Sequence, residues 1–179
     1  MGSMESVPLN QILMLAPNSL AFIALCNEYC QTIEHAREST RDEFVATMLR
    51  QIPRIYISAS DLKPEEDMLG EDAYIDNVLD EQYYDSLRRH IENLLGEDDS
   101  YLEVFEEDMK YSDTPIAASI SEDLCDIFQV MYNLLDVVRD APDELVQASL
   151  VAVKEDFETY WSRPLCNVLR ALNNLRYFA

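Results

Sequence analysis

Glycine scarcity is the sequence feature that most constrains the fold of this chain. Its 179 residues include three glycines, Gly2, Gly70 and Gly96, whereas about 7% of an average protein is glycine. Because glycine supplies most positive-φ turns, so few glycines disfavour a β-sandwich or barrel and favour helices joined by short loops. Dinucleotide fingerprints, P-loops and kinase phosphate loops need clustered glycines to bring backbone close to phosphate. The sequence therefore excludes these three nucleotide-binding motifs.

Hydrophobic periodicity predicts helices in the first half of the chain. Apolar residues recur at helical spacing over about residues 19–38, 40–56 and 79–95. We expect Asn18 or Ser19 to cap the first helix and Pro53 to kink or end the second. Gly96 suits the C′ position of the third helix.

The last third of the chain carries the strongest helix signals. Ser119 and Glu122 form a capping box ahead of one helix, and Pro142 suits the first position of the next. Pro164 is expected to kink or split that last helix. The short link at residues 139–142 makes the two helices antiparallel. We therefore predict an all-α, single-domain bundle of about five to seven helices, with a C-terminal antiparallel helix pair.

Negative charge is concentrated in the middle of the chain. The net charge is −22, and residues 61–113 hold 19 acidic and 4 basic residues, for a charge of −15. Such a surface repels phosphate backbones, so direct nucleic-acid binding is not expected. We assign residues 1–3 to an expression tag and residues 4–179 to one domain. Its acidic, less regular middle spans residues 61–118 and includes a short extended piece at 101–105.

The sequence points to a cytoplasmic protein with no membrane contact. No basic residue precedes Leu13, so the n-region of a signal peptide is missing. The apolar stretch over residues 12–25 is too short to span a bilayer. We therefore expect reduced thiols packed in the core. The four cysteines are Cys26, Cys30, Cys125 and Cys166.

Sequence patterns typical of metal or catalytic sites are weak. Cys26 and Cys30 lie four residues apart on a helix, and no second close pair completes a structural zinc spacing. The two histidines, His35 and His90, belong to no Glu-x-x-His or His-Glu-x-x-His motif and are predicted at the surface. We therefore predict no metal, no cofactor and no catalytic residue, and an enzyme is not favoured.

Three stretches resemble a known protein family. They are DDSYLEVF at residues 98–105, EDLCDIF at 122–128, and YW at 160–161 leading to LRAL at 169–172. They resemble a bacterial family of helical proteins, common in Bacteroidetes, that is known as a domain of unknown function, DUF5063. The resemblance implies an all-helical fold and no established activity. The family pattern has histidines around the tryptophan and after the last Ala-Leu, where this chain has Tyr160, Ser162-Arg163-Pro164 and Asn173. Any chemistry that such histidines carry in relatives is therefore missing here.

The leading functional hypothesis is a non-enzymatic interaction protein that binds a basic protein partner. Its acidic middle contains tyrosines, and negative charge steers a basic partner while tyrosine rings supply rigid contact area. The predicted contact residues are Tyr83, Tyr84, Glu97, Asp98, Asp99, Tyr101, Glu106, Glu107 and Asp108. The competing interpretation is a surface that only keeps the protein soluble. The oligomeric state is not predicted.

Two other functions remain as alternatives. One is a carboxylate-dependent metal-binding protein or small hydrolase, in which Asp123, Asp126 and Glu155 of the last helices meet in a cleft. The other is a helical bundle that binds a small ligand beside a predicted kink. Its pocket residues would be Tyr160, Trp161 and Arg163. The simpler interpretation of the tryptophan is that it fills the core.

Overall fold

Helices account for most of the structure, which confirms the all-α prediction. The computed structural model describes residues 15–64, 74–103 and 116–179. The helices are α1 (Pro17–Glu34), α2 (Arg41–Ser60), α3 (Glu81–Leu95), α4 (Ile120–Asp140), α5 (Asp143–Asp156) and α6 (Ser162–Tyr177). Between them lie 3₁₀ turns at Ala36–Glu38 and Gly96–Asp99, a π-helical turn at Phe157–Trp161, and strands β1 (Ser100–Glu103) and β2 (Ile116–Ser119). No helix within these ranges combines the length and apolar character that crossing a membrane requires.

Helices α1 and α2 begin with different N-terminal signals. Pro17 lies at the first position of α1, and no side chain caps that end. The predicted caps Asn18 and Ser19 lie inside the helix, so that prediction is wrong. The fixed φ of proline already suits the first helical position and removes a donor that would otherwise need a partner. Thr40 caps α2 through a reciprocal capping box with Glu43.

Neither Pro53 nor Pro164 interrupts a helix at its own position. Pro53 does not end α2, which continues to Ser60. The last helix is interrupted at the π-helical turn rather than at Pro164. Proline lacks the N–H that would bond the carbonyl four residues earlier, and its ring clashes with that carbonyl. Because the π turn precedes it, Pro164 falls in the first turn of α6, where no such bond is needed.

A short antiparallel ladder follows α3. Gly96 has a positive φ of 61° at the end of α3, as predicted for its C′ position. In the ladder, Ser100 pairs with Ser119 and Glu103 pairs with Ile116. The extended piece expected at residues 101–105 is therefore present up to Glu103, and the remaining two residues lie outside the described ranges.

Helix α4 lies at the centre of the fold. It contacts α1, α3, α5 and α6, while α2 packs along both α1 and α6. Apolar side chains from all six helices form one buried cluster. The indole N–H of Trp161 donates to the Val153 carbonyl at 3.1 Å, and the hydroxyl of Tyr29 donates to the Leu124 carbonyl at 2.6 Å. These two buried polar atoms are therefore satisfied within the core.

The cysteines differ in their exposure. Cys26, Cys30 and Cys125 are buried, as predicted, and burial raises the pKa of each thiol. Such raised pKa values are typical of inert core cysteines. The prediction is wrong for Cys166, which is exposed on α6. It lines a groove between α2 and α6 instead of entering the core.

Candidate functional site

The tyrosines of the predicted acidic surface are bonded to carboxylates of the protein itself. Tyr83 donates to Glu34, Tyr84 donates to Asp126 at 2.6 Å, and Tyr101 donates to Asp123. Burial, followed by the contact with the carboxylate, raises the pKa of each of these hydroxyls. The hydroxyls therefore remain protonated donors. They fasten α3 and β1 to their neighbours, and two of these bonds converge on α4.

Two acids of the same predicted surface also serve the fold. Asp98 forms an ion pair with Arg41 of α2. Asp99 is 6% exposed and accepts from the backbone N–H of Ser121 at 2.7 Å, from its hydroxyl at 2.7 Å and from the Ser119 hydroxyl at 2.9 Å. The first turn of a helix has unpaired N–H groups and a positive dipole end, so a buried carboxylate is stabilised there. The prediction that Asp99 contacts a partner is therefore wrong.

Of the other predicted contact residues, one lies within the described ranges. Glu97 is exposed. Glu106, Glu107 and Asp108 lie outside the described residues. Most of the described residues of the predicted surface therefore form contacts within the protein. The carboxylates available to a partner lie elsewhere on the acidic surface.

Asp123 has the most perturbed carboxyl group near α4. Burial raises the pKa of Asp123 to about 7, against the lowering effect of the hydrogen bond from Tyr101, and the negative charges of Asp126, Glu103 and Glu122 add to the rise. A carboxyl group that titrates near neutrality has the pKa of a general acid. Asp123, however, lines neither the depression beside Tyr101 nor the one beside Asp126. The geometry therefore gives it a structural role.

Two depressions run along the exposed side of α4, and we call them together the α4 groove. The first lies against α3 and is lined by Asn77, Leu79, Glu81, Gln82, Tyr84, Asp85 and Gln129. The second lies against α5 and is lined by Ile75, Asp126, Gln129, Val130, Asn133, Val153, Asp156 and Tyr160. They share Gln129, and neither lining contains a lysine, arginine or histidine.

The α4 groove is rich in negative charge. Its carboxylates are those of Glu81, Asp85, Asp126 and Asp156. Asp85 forms ion pairs with Arg88 at 3.3 Å and with Arg89 at 2.9 Å. Within the part of the chain that the structure describes, Glu81, Asp126 and Asp156 form no ion pair. Their uncompensated charges concentrate a negative field in a concave surface, which attracts cationic groups.

Tyrosine side chains stand on both sides of Asp126. Tyr84 of α3 donates to it, and Tyr160, whose side chain is 56% exposed, lines the second depression with it. Burial, together with the charges of Asp126 and Asp123, raises the pKa of Tyr160. A carboxylate between aromatic rings suits an ammonium or guanidinium group, because the ring face also attracts a cation.

A polar contact fixes the wall of the groove that precedes α3. Asn133 of α4 accepts from the backbone N–H of Val78 at 3.1 Å and donates to the Asn77 side chain at 3.3 Å. These bonds attach the irregular segment at Asn77 and Val78 to α4. The groove is therefore formed by fixed elements on both sides.

Sequence reasoning named Tyr84, Asp126 and Tyr160 for other sites but missed Glu81, Gln129, Asn133 and Asp156 as residues of the groove. Glu122, Asp126, Gln129 and Asn133 recur every three or four residues and form a polar stripe on α4. That stripe is a sequence signal for the polar face of a helix, on which Asn133 is nevertheless buried. Asp156 had no comparable signal, because its position beside Asp126 depends on how α5 packs against α4.

The small-ligand pocket predicted around the tryptophan is absent at Trp161 itself. Trp161 is 0% exposed and packs against the rings of Phe22 and Phe157, with centroid distances of 6.4 and 4.6 Å. The pocket prediction is therefore wrong for Trp161, which fills the core. Tyr160 points to the α4 groove instead, and Arg163 is exposed on α6.

The carboxylates of the hydrolase alternative are only partly brought together. Asp123 and Asp126 lie three residues apart on α4, and Glu155 is exposed at the end of α5. The α5 carboxylate that lines the groove with Asp126 is Asp156. Among the described residues, no group of three or more histidine, cysteine or acidic side chains could hold a metal ion.

Comparisons with known proteins relate the chain to a family and to a solved structure. A family model described as "Domain of unknown function (DUF5063)" matches residues 15–178. The fold is similar to the crystal structure of protein BF1032 from Bacteroides fragilis, with a TM-score of 0.78 and 31% sequence identity. That similarity covers 91% of this chain and 94% of the other. A search of curated proteins finds no match.

Proposed function

Because this chain belongs to the DUF5063 family, whose description assigns no activity, we propose a function from its own surface: it binds a basic segment of a protein partner in the α4 groove. In this proposal the chain is a non-enzymatic interaction protein. The partner supplies lysine or arginine side chains, and the groove supplies carboxylates and aromatic rings. The proposal keeps the basic partner that the acidic composition predicts, but moves the contact to different residues.

The observation that carries the proposal is the uncompensated charge of the groove. Glu81, Asp126 and Asp156 line two depressions to which no described residue contributes a basic side chain. By contrast, Asp98 and Asp85 are neutralised by arginines of the protein itself, and Asp99 is buried. A concave surface that retains its charge favours a cationic partner both in the encounter and in orientation.

Two further features support this function. Tyr84 and Tyr160 flank Asp126 and offer rigid aromatic area, which contributes to binding at little cost in conformational entropy. The unpaired, buried thiols of Cys26, Cys30 and Cys125 suit a reducing compartment. We therefore propose that the encounter takes place in the cytoplasm.

A photo-crosslinking amino acid at Gln129, where the two depressions meet, tests the proposal in cells of the source organism. We expect crosslinks to a basic protein, with a yield that falls as salt is added after lysis because the attraction is electrostatic. The double variant Glu81→Gln/Asp156→Asn removes two charges from the groove without breaking an ion pair. It should lower the crosslink yield about tenfold, as expected when close charge contacts are lost.

The matched control removes two charges elsewhere. Asp140 and Glu144 are exposed, and neither pairs with a basic residue in the described part of the chain. The variant Asp140→Asn/Glu144→Gln has the same net charge as the groove variant and should crosslink like the wild type. Absence of any crosslink, capture of an acidic partner, or equal yields from both variants would contradict the proposed function.

A further inference from the structure

A second face of the protein has the opposite charge pattern. Helix α6 carries Arg163, Arg170 and Arg176 and has no acidic residue over Ser162–Tyr177. The neighbouring stretch of α2 from residue 44 to residue 60 again has no acidic residue and carries Arg50 and Arg54, of which Arg54 pairs with Glu28 of α1 at 3.1 Å. In a chain with a net charge of −22, two adjacent helix faces without a carboxylate form a separate electrostatic region.

An apolar groove runs between these two helices, and we call it the α2–α6 groove. Its lining consists of Leu49 and Pro53 of α2, and of Cys166, Leu169, Arg170, Asn173 and Tyr177 of α6. The side chain of Tyr177 is 68% exposed, so a large apolar surface remains open to solvent. A groove between two parallel ridges of helical side chains is the shape that accommodates a third helix.

Arginines flank this groove on both helices. Arg50 follows Leu49 on α2, Arg163 lies one turn before Cys166 on α6, and Arg176 lies one turn after Asn173. Within the described residues, the structure pairs none of these three arginines with a carboxylate. Arginine binds carboxylates through two parallel N–H donors, so each is suited to a glutamate or aspartate of a partner.

From this apolar floor and its arginine rim, we propose that the α2–α6 groove binds an acidic amphipathic helix of another protein. The partner's leucine-type side chains cover Leu49, Leu169 and Tyr177, and its carboxylates meet Arg50, Arg163 and Arg176. Charge complementarity selects this occupant. The local positive region acts within a Debye length of about 8 Å at physiological ionic strength. A short acidic segment stays within that distance, whereas a nucleic acid or an anionic membrane would extend over the strongly negative remainder of the surface.

The exposed thiol of Cys166 provides a direct measurement of occupancy. It lies in the groove, whereas Cys26, Cys30 and Cys125 are buried. The probe is a synthetic amphipathic helix with a leucine stripe and a glutamate face. When this peptide is bound, the rate of Cys166 alkylation should fall about tenfold at a concentration ten times the dissociation constant. A peptide of the same composition with the leucines scattered should leave the rate unchanged.

Charge reversal separates this face from the rest of the surface. The variant Arg50→Glu/Arg163→Glu should weaken peptide binding at least about tenfold, because attraction is replaced by repulsion. The control variant Arg37→Glu/Arg139→Glu changes the net charge equally. Both arginines are exposed, lie outside the groove and form no ion pair with any described residue. This variant should bind like the wild type.

Several results would overturn the proposal. One is an alkylation rate that no peptide concentration changes, and another is equal weakening in both charge-reversal variants. A third is stronger protection by a phosphatidylglycerol vesicle or a DNA duplex than by the peptide. A fourth is concentration-dependent dimerisation that Arg50→Glu/Arg163→Glu abolishes, which would show that a second copy of this chain occupies the groove. These results would not affect the function proposed for the α4 groove, because that site is tested with other residues and a basic partner.

Discussion

The region around Trp161 and the region around the start of α4 are held together by different forces. Around Trp161, α5, the π-helical turn and α6 bury aromatic and aliphatic side chains against α1. At the start of α4, by contrast, Asp99, Tyr101 and Asp123 connect the ladder to the helix through side-chain hydrogen bonds. The first region gains its stability from the removal of apolar area from water. The second gains it from polar groups that would be costly to leave unpaired.

The difference shows how an acidic segment can be part of a stable fold. The acidic turn and strand over residues 96–103 contribute no fully buried apolar side chain. This segment is attached where carboxylates meet N–H and O–H donors that need acceptors, such as those of Ser121 and Tyr101. Among the described residues, carboxylates without an ion-pair partner, such as Glu81, Asp126 and Asp156 of the α4 groove, are then those that we propose for binding. If this is correct, apolar and polar truncations should differ in size and in their dependence on pH.

The largest effect is expected from truncation of Trp161. Trp161→Ala removes a fully buried side chain that contacts Phe22 and Phe157 and leaves a cavity. Loss of such a side chain costs about 3–5 kcal/mol of unfolding free energy. Urea denaturation followed by circular dichroism measures the change. Tyr160→Ala is the matched control, because the neighbouring tyrosine is 56% exposed and should cost less than about 1 kcal/mol.

An intermediate effect is expected from Asp99. Asp99→Ala removes the acceptor of three hydrogen bonds and leaves the buried N–H of Ser121 without a partner. An unsatisfied buried donor costs about 1–3 kcal/mol. Asp99→Asn retains one oxygen acceptor and should cost less, and Glu97→Ala, at an exposed position in the same turn, should cost least. Equal losses of unfolding free energy for Asp99→Ala and Glu97→Ala would contradict the inference that buried polar contacts stabilise the start of α4.

The same contrast explains how much of the molecule could be predicted from the sequence. The repeated apolar spacing predicts α4, and Ser119 and Gly96 indicate helix ends. These are local features that tertiary packing preserves. Burial of Trp161 follows from aromatic residues at helical spacing. The roles of Asp99 and Tyr101 could not be read in this way, because each depends on a partner about twenty residues away in the chain.

The candidate sites were harder to predict than the fold for the same reason. The charge of residues 61–113 was visible, and helical spacing could also have indicated the pairing of Asp85 with Arg88 on α3. The pairing of Asp98 with Arg41 of α2 requires the tertiary structure. The charge available to a partner is the part of the total negative charge that no arginine of the protein neutralises. The α4 groove stands out because Asp85 and Asp98 are neutralised by arginines, whereas Glu81, Asp126 and Asp156 form no ion pair within the described residues.

The smallest effect, and the only one that depends on pH, is expected from Asp123. Burial raises the pKa of Asp123 to about 7, whereas an unfolded aspartate has a pKa of about 3.9. Between these values the folded state holds a proton that the unfolded state has lost. The unfolding free energy therefore falls as the pH rises from about 4, and the full penalty is present above about 7.

Asp123→Asn removes this ionisation and retains an acceptor for the Tyr101 hydroxyl. At pH 8 the variant should be more stable than the wild type by on the order of 1 kcal/mol, since solvent screening at this half-buried site reduces the effect of the shift. The gain should shrink towards zero as the pH is lowered to about 4. Thermal unfolding at several pH values measures it, with Asp140→Asn on the same helix as the exposed control. A stability difference that stays constant with pH would show that Asp123 is ionised throughout, and that the attachment of β1 to α4 does not depend on its proton.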